Sequence, residues 1–262
     1  MVDLADHRAI ARDDTAALGE GRRRRRRRTA REGRLDLLPP HLSLQSGLPL
    51  VTSGLVPITI AQPRLFTRAL KRFGDIVAAA ALLVMVLPLL VAIAFLVGQS
   101  GPVIFRQPRV GRNGKVFEIY KFRTFDAALC DPLGHVEVAE NDPRVTSLGR
   151  LLRANRLDEL PQLINVLKGD MALVGPRPHA LNMRVEGMSP RAIVEYYRLR
   201  ETVRPGISGW AQVNGLNGPT RTKAHLRARV DHDLAYIENL SIGLDIWIVW
   251  LTVTKEVFGS RS

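Results

Sequence analysis

One apolar run dominates the hydrophobic pattern. From Ile76 to Val97 (IVAAAALLVMVLPLLVAIAFLV), 22 residues pass without a charge or a polar side chain. As a helix this run is long enough to cross a bilayer. Pro88 lies just past its middle, where it removes a helix hydrogen bond and favours a kink. Both flanks are basic: Arg64, Arg68, Lys71 and Arg72 before, Arg106, Arg109, Arg112 and Lys115 after. The positive-inside rule puts both flanks on the cytoplasmic side. A broken helix that enters and leaves through one leaflet satisfies both conditions. A straight span and a buried core helix are the alternatives.

Beyond this run the period shortens. Val103 to Phe105 and Val116 to Tyr120 read as strands, with Arg112-Asn113-Gly114-Lys115 as the hairpin turn between them. Lys121 and Arg123 follow at alternate positions, so in a strand they share one face, as a solvated edge or as a pair of phosphate ligands. Asp126 to Asn141 reads as a loop. The next segment, 141–153, opens with turn chemistry and becomes helical, with Leu148, Leu151 and Leu152 at helical spacing. Ser189 to Arg200 reads as a helix with Ser189 as cap and Pro190 at its first position. Val203 to Gly218 holds four glycines and Trp210. It suits an ordered loop lining a site, with Arg204 as a phosphate ligand. Thr222 to Asn239 is a polar helix containing His232 and Asp233. Leu240 to Phe258 is a helix whose uncharged stretch is too short to span, and its tryptophans suit an interfacial position.

Residues 1–60 have no period of 2 or 3.6. Arg22 to Arg28 is an unbroken run of seven arginines, which repels itself. A disordered tail is expected, either solvated or attached to anionic lipid or nucleic acid. No secretory h-region follows the arginines closely. The expected organisation is a tail over 1–60, a membrane-associated re-entrant helix over 61–100 and a cytosolic catalytic domain over 101–262. The fold class is mixed α/β, helix-rich and monotopic.

Charge narrows the partners. The formal net charge of +13 favours an anionic partner, and a hydrophobic content of 46% allows a sizeable core. Cys130 is the single cysteine, so an intramolecular disulfide and a cysteine metal cluster are both excluded. The six histidines lack HExxH spacing, which argues against zinc.

The densest chemistry lies between Asn155 and Pro178 (NRLDELPQLINVLKGDMALVGPRP). Asp158 and Glu159 are adjacent carboxylates, with Arg150, Arg153 and Arg156 before them and Lys168 and Arg177 after. Acids enclosed by arginines suit a phosphorylated substrate and a divalent metal, because hard cations take oxygen ligands and guanidinium forks match phosphate oxygens. The structural alternative is that Asp158 is a helix N-cap, with Pro161 tolerated in the first turn.

At this point the chain resembles the bacterial sugar transferases, the monotopic phosphoglycosyl transferases of polyprenyl-phosphate-linked glycan assembly. The resemblance covers about Lys71 to Phe258. It rests on KRFGD (71–75), YKFRTF (120–125), NDPRVTSLGRLLR (141–153), LDELPQLINVLKGDMALVGPRP (157–178), VRPGISGWAQVNG (203–215) and DLAYIENLSIGLDI (233–246). It implies a small α/β domain on the cytoplasmic face of the bacterial inner membrane, anchored by a re-entrant helix. It also implies transfer of a sugar-1-phosphate from a UDP-sugar to undecaprenyl phosphate through an aspartyl-phosphosugar intermediate, with Mg2+. On that pattern Asp158 is the nucleophile and a Mg2+ ligand, and Glu159 is its dyad partner. Lys121, Arg153 and Arg177 match phosphate-binding positions, and Asp233 matches an acidic position of a later helix. PRPHALNMR (176–184) is similar to members handling glucose- or galactose-1-phosphate in exopolysaccharide synthesis. A homodimer is compatible with the resemblance. The chain departs from the pattern at Phe125, where many members have Met, at Leu87-Pro88 in place of Ser-Pro, and at Leu240 in place of Trp.

The competing reading is a basic nucleic-acid- or membrane-binding scaffold without catalysis. It is prompted by the arginine run and a pI near 10.9. It lacks a nucleic-acid-binding motif and gives no reason for Asp158-Glu159 among cations.

Overall fold

The computed structural model describes residues 65–129 and 142–258. The expected tail, most of the expected 126–141 loop, and Cys130 lie outside the described residues. The fold is mixed α/β and rich in helix. Helix α1 (Leu65–Gly98) leads into an antiparallel hairpin, β1 (Ile104–Val110) and β2 (Val116–Phe122). Helices α2 (Ser147–Ala154) and α3 (Gln162–Lys168) follow, then strand β3 (Ala172–Val174), the short helix α4 (Pro190–Ile193), strand β4 (Gly206–Ser208) and the single turn α5 (Trp210–Val213). Helices α6 (Lys223–Glu238) and α7 (Ile242–Phe258) complete it. Strands β3 and β4 pair in parallel.

The hairpin turns where the Arg-Asn-Gly-Lys segment predicted. Asn113 and Gly114 both take positive φ, which Asn and Gly adopt at least cost. Thr146, Ser189 and Thr222 cap α2, α4 and α6 with their side-chain oxygens. The expected 189–200 helix is a correction. Val194 is buried in extended conformation (φ −126°, ψ 106°), so the α-helix stops at Ile193 and a 3-10 segment runs from Glu195 to Thr202. The glycine-rich 203–218 segment is also less loop-like than expected, because it contains β4 and α5.

Helix α1 is 34 residues long and has Pro88 inside it. The expected break is absent from the secondary structure: a helix can lose one hydrogen bond at proline and continue. One face packs on the domain along the whole apolar run. Ala79, Leu83 and Val86 join Phe117, Ile119, Leu163, Val166 and Met171 in one core cluster, and Leu90, Ile93, Ala94 and Val97 join Phe122 and Leu152 in a second. The other face is bare, with Phe73, Val84, Met85, Val91 and Phe95 exposed. Within its most apolar 18-residue window only 11% is buried, so the protein leaves most of this surface uncovered.

Both ends of α1 are fastened to the same domain. At the start, Arg72 donates to the carbonyls of Val166 (2.7 Å) and Leu167 (3.1 Å), and Lys71 pairs with Asp245 of α7 at 2.7 Å. At the end, the Arg123 guanidinium donates to Val97 O (3.0 Å) and to Ser100 Oγ (2.8 Å).

Candidate active site

Between α2 and α3 the chain makes a 3-10 turn, Leu157–Glu159. Arg156, which precedes it, is held in the left-handed region at φ 52°, a conformation a non-glycine residue keeps only where its surroundings fix it. Leu157 packs into the second core cluster and anchors the turn. Asp158 therefore does not cap a helix. Helix α3 starts at Gln162, and its N-cap position is Pro161.

The turn is registered against β2 by Asn165, which is fully buried. Its Oδ1 accepts from the Tyr120 N–H at 3.0 Å, and its Nδ2 donates to Glu118 O at 2.7 Å. This places Lys121, at the end of β2, beside the two acids. Lys121 Nζ lies 2.6 Å from Glu159 Oε1, and Arg177 donates to both Glu159 oxygens. Burial alone would raise the Glu159 pKa, but Arg177 and then Lys121 outweigh it and hold this carboxyl well below the usual range. Asp158 is the opposite case. It is 7% exposed, and among the described residues no donor hydrogen-bonds its carboxylate. Burial raises its pKa against the pull of Lys121, and nearby Glu159 adds to the rise. The adjacent acids are thus one that is locked and one that is free to react.

Asp158 and Glu159 line a cavity of about 740 Å³. Its other charged lining residues among the described ones are cations: Arg109, Lys121, Arg144, Arg153, Arg156, Arg177, Arg184 and Arg229. That surplus suits a ligand carrying several negative charges. Arg144 and Arg153 both stack on Phe125 in the lining, each 5.2 Å from the ring centroid. Arg109 is missing from the set of phosphate ligands expected from sequence. Burial, with Arg177 close by, lowers its pKa to about 10, and among the described residues its Nε lacks a partner.

Of the residues expected from sequence, Asp158, Glu159, Lys121, Arg153 and Arg177 meet in this cavity. Arg123, Arg204 and Asp233 are not among its lining residues. Strand β2 ends at Phe122, so the alternation that paired Lys121 with Arg123 lapses one residue too early. Arg123 turns inward and donates to the carbonyls of Val97, Pro102 and Phe125. Arg204 donates to Gly169 O at 2.9 Å. Asp233 is 2% exposed and pairs with Arg200 at 2.7 Å, and Arg200 in turn donates to Arg177 O at 2.7 Å. Asp233 therefore bears on the cavity through Arg200 and the backbone of Arg177.

The donor set bears on a metal. Among the described residues no cluster of three or more His, Cys, Asp or Glu could hold one. Mg2+ does not need such a cage: it is commonly held by one or two carboxylates with waters and substrate phosphates. Asp158, whose carboxylate takes no donor from the described residues, fits that use; Glu159, with both oxygens engaged, does not.

Comparison with known proteins gives the family. The family model described as bacterial sugar transferase matches residues 66–259. The exopolysaccharide production protein PSS of Rhizobium leguminosarum bv. phaseoli is 45% identical over 190 residues, which is 72% of this chain and 95% of that protein. The UDP-glucose:undecaprenyl-phosphate glucose-1-phosphate transferase of Escherichia coli (strain K12) is 44% identical over 222 residues, 84% of this chain but 46% of that protein. A UDP-N-acetylgalactosamine-undecaprenyl-phosphate N-acetylgalactosaminephosphotransferase of Aeromonas hydrophila is 41% identical over 196 residues, 73% of this chain and 45% of its own length. The chain thus spans under half the length of the last two relatives. The scaffold reading gains no support from these matches.

Proposed function

Since the chain belongs to the bacterial sugar transferase family, we propose that it moves a hexose-1-phosphate from a UDP-hexose to undecaprenyl phosphate, as the names of several relatives describe for those proteins. The observation that carries the reading is the division of labour between adjacent acids: Glu159 is locked by two cations, and Asp158 has no donor among the described residues in a cation-lined cavity.

The mechanism follows from that division. One Asp158 carboxylate oxygen attacks the β-phosphorus of the UDP-sugar. The bond from that phosphorus to the bridging oxygen breaks, and UMP leaves with the electron pair. The phosphosugar is then an acyl phosphate on Asp158. An oxygen of undecaprenyl phosphate attacks the same phosphorus, and the Asp158 carboxylate is the second leaving group. A carboxylate nucleophile in this way divides one difficult displacement into two. Lys121 and Arg177, held in place by Glu159, offset the charge on the phosphoryl oxygens, and Arg153 and Arg109 serve the rest of the diphosphate. Asp233 positions Arg177 through Arg200. Mg2+ bound at Asp158 would supply charge neutralisation of the diphosphate.

The same reading includes topology. The apolar helix sits in one leaflet with both ends on the cytoplasmic side of the inner membrane. Support comes from basic flanks on both sides and from Lys71, Arg72 and Val97 being tied to one domain. A straight span would put those anchor points on opposite sides of the bilayer, where one domain could not bind both. The test of function is UMP release from UDP-glucose, UDP-galactose and UDP-N-acetylgalactosamine by detergent-purified protein with Mg2+ and undecaprenyl phosphate. Release from at least one hexose donor is expected. No release from any of them, by folded protein, would contradict the reading.

A further inference from the structure

Besides Arg109 Nε and Arg153 Nη1 on two of its cations, the cavity wall carries a buried polar atom that no described residue satisfies on each of three uncharged side chains: His179 Nε2, Gln212 Oε1 and Thr220 Oγ1. Their exposures are 5%, 8% and 6%, so bulk water does not serve them either. Buried polar atoms without partners are rare, and where several line one cavity they point to a ligand that completes them.

Their chemistry says which ligand. The His179 ring is neutral, because burial and the nearby arginines, Arg200 foremost, hold its pKa well below the usual range. Arg200 donates to the Tyr197 hydroxyl oxygen (3.3 Å), which leaves the phenol proton for His179 Nδ1 at 2.7 Å. That assignment puts the ring proton on Nε2 and makes it a donor. Gln212 Oε1 is an acceptor, and Thr220 can do either. A phosphate has only acceptors and is repelled by a carbonyl oxygen. A sugar hydroxyl both donates and accepts, and it matches all three.

Position agrees with chemistry. Arg229 clamps the loop that precedes Thr220, donating to Leu216 O (3.0 Å) and Gly218 O (2.9 Å). His179 follows Arg177, the Glu159 partner, by two residues, and all three uncharged groups line the same cavity as Asp158 and Glu159. We propose that His179, Gln212 and Thr220 form the subsite that recognises the hydroxyls of the hexose, so that the 206–220 segment sets sugar preference. The proposal rests on the transferase reading above.

The experiment compares UDP with UDP-glucose, by calorimetry on full-length protein carrying Asp158→Asn so that the donor does not react. Thr220→Val and Gln212→Met are introduced separately. Each is expected to weaken UDP-glucose about five- to tenfold while leaving UDP within about twofold, since only the sugar loses a hydrogen bond. Thr220→Val should melt no lower than its parent, because its hydroxyl has no partner to lose among the described residues. Equal weakening of UDP and UDP-glucose would assign these atoms to the nucleotide and overturn the subsite. Unchanged UDP-glucose affinity in both variants would overturn it as well. A parent that binds neither ligand would instead sink the transferase reading, and the subsite with it.

Discussion

Asp158 and Glu159 are neighbours in sequence and opposites in environment, and that contrast makes distinct predictions. Asp158→Asn removes a buried charge that no donor compensates, so it should abolish turnover while leaving the melting temperature unchanged or higher. Glu159→Gln leaves Lys121 and Arg177 without their counter-charge. It should cost about 3 kcal/mol of stability as well as activity, read by denaturation of the purified variants. Similar stability losses for both variants would contradict the division of roles. The pH dependence has the same origin. Glu159, with its pKa depressed, contributes stability that is full above the ordinary glutamate range and is lost only as pH falls through its folded value. Asp158 runs the other way, since its raised pKa means that ionisation costs folding free energy once pH exceeds the ordinary aspartate range. In metal-free protein the melting temperature of the wild type relative to Asp158→Asn should therefore drop as pH rises past about 4, the ordinary aspartate value, and a difference that moves the other way contradicts the assignment. The acid pair was legible in sequence because two carboxylates among arginines are conspicuous. Arg109 and Arg229 were not, because the chain has 38 lysines and arginines and one more carries no signal. His179, Gln212 and Thr220 were hidden for another reason: what marks them is the lack of a partner, and only the fold reveals that.

At the scale of elements, patterns were legible where a local rule governs. The Asn113-Gly114 turn and the caps at Thr146, Ser189 and Thr222 follow from side chains within a few residues. Errors arose where a tertiary contact ended an element early. Arg123 lies one residue past β2, and Val194 is pulled into the core in extended form. Parallel pairing of β3 with β4 is also non-local, and it positions the Gly-Pro-Arg-Pro turn that carries Arg177. Gly206 permits that approach: a Cβ there would meet Gly175 N at 2.1 Å and Ser208 O at 2.4 Å. Gly206→Ala should cost about 2 kcal/mol or more and reduce activity by displacing Arg177. At Gly74 in α1 a Cβ would meet no atom within 4 Å, so Gly74→Ala should be neutral or stabilising. Thermal melts and UMP release on the two variants check this, and equal behaviour would contradict it.

For the whole molecule, the apolar run was legible as a helix long and apolar enough to cross a membrane, but its packing against the domain was not. The run is uniformly hydrophobic, so sequence cannot tell the face that packs on Phe117 and Leu163 from the face left bare. Topology is tested with single cysteines at Ala69 and Lys115 in a Cys130→Ser background. Both should resist a membrane-impermeant thiol reagent applied from the periplasm, and both should react after lysis. Labelling of only one from outside means a span.

The central claim is that Asp158 itself carries the phosphosugar between the two substrates. Intact-protein mass spectrometry after incubation with UDP-hexose and Mg2+, without undecaprenyl phosphate, tests it most directly. The expected result is a mass increase of one hexose phosphate on about one site per chain, mapped to Asp158, lost in Asp158→Asn and discharged when undecaprenyl phosphate is added. An unmodified chain whose UMP release strictly requires the lipid acceptor would contradict it, and would mean direct transfer between two bound substrates.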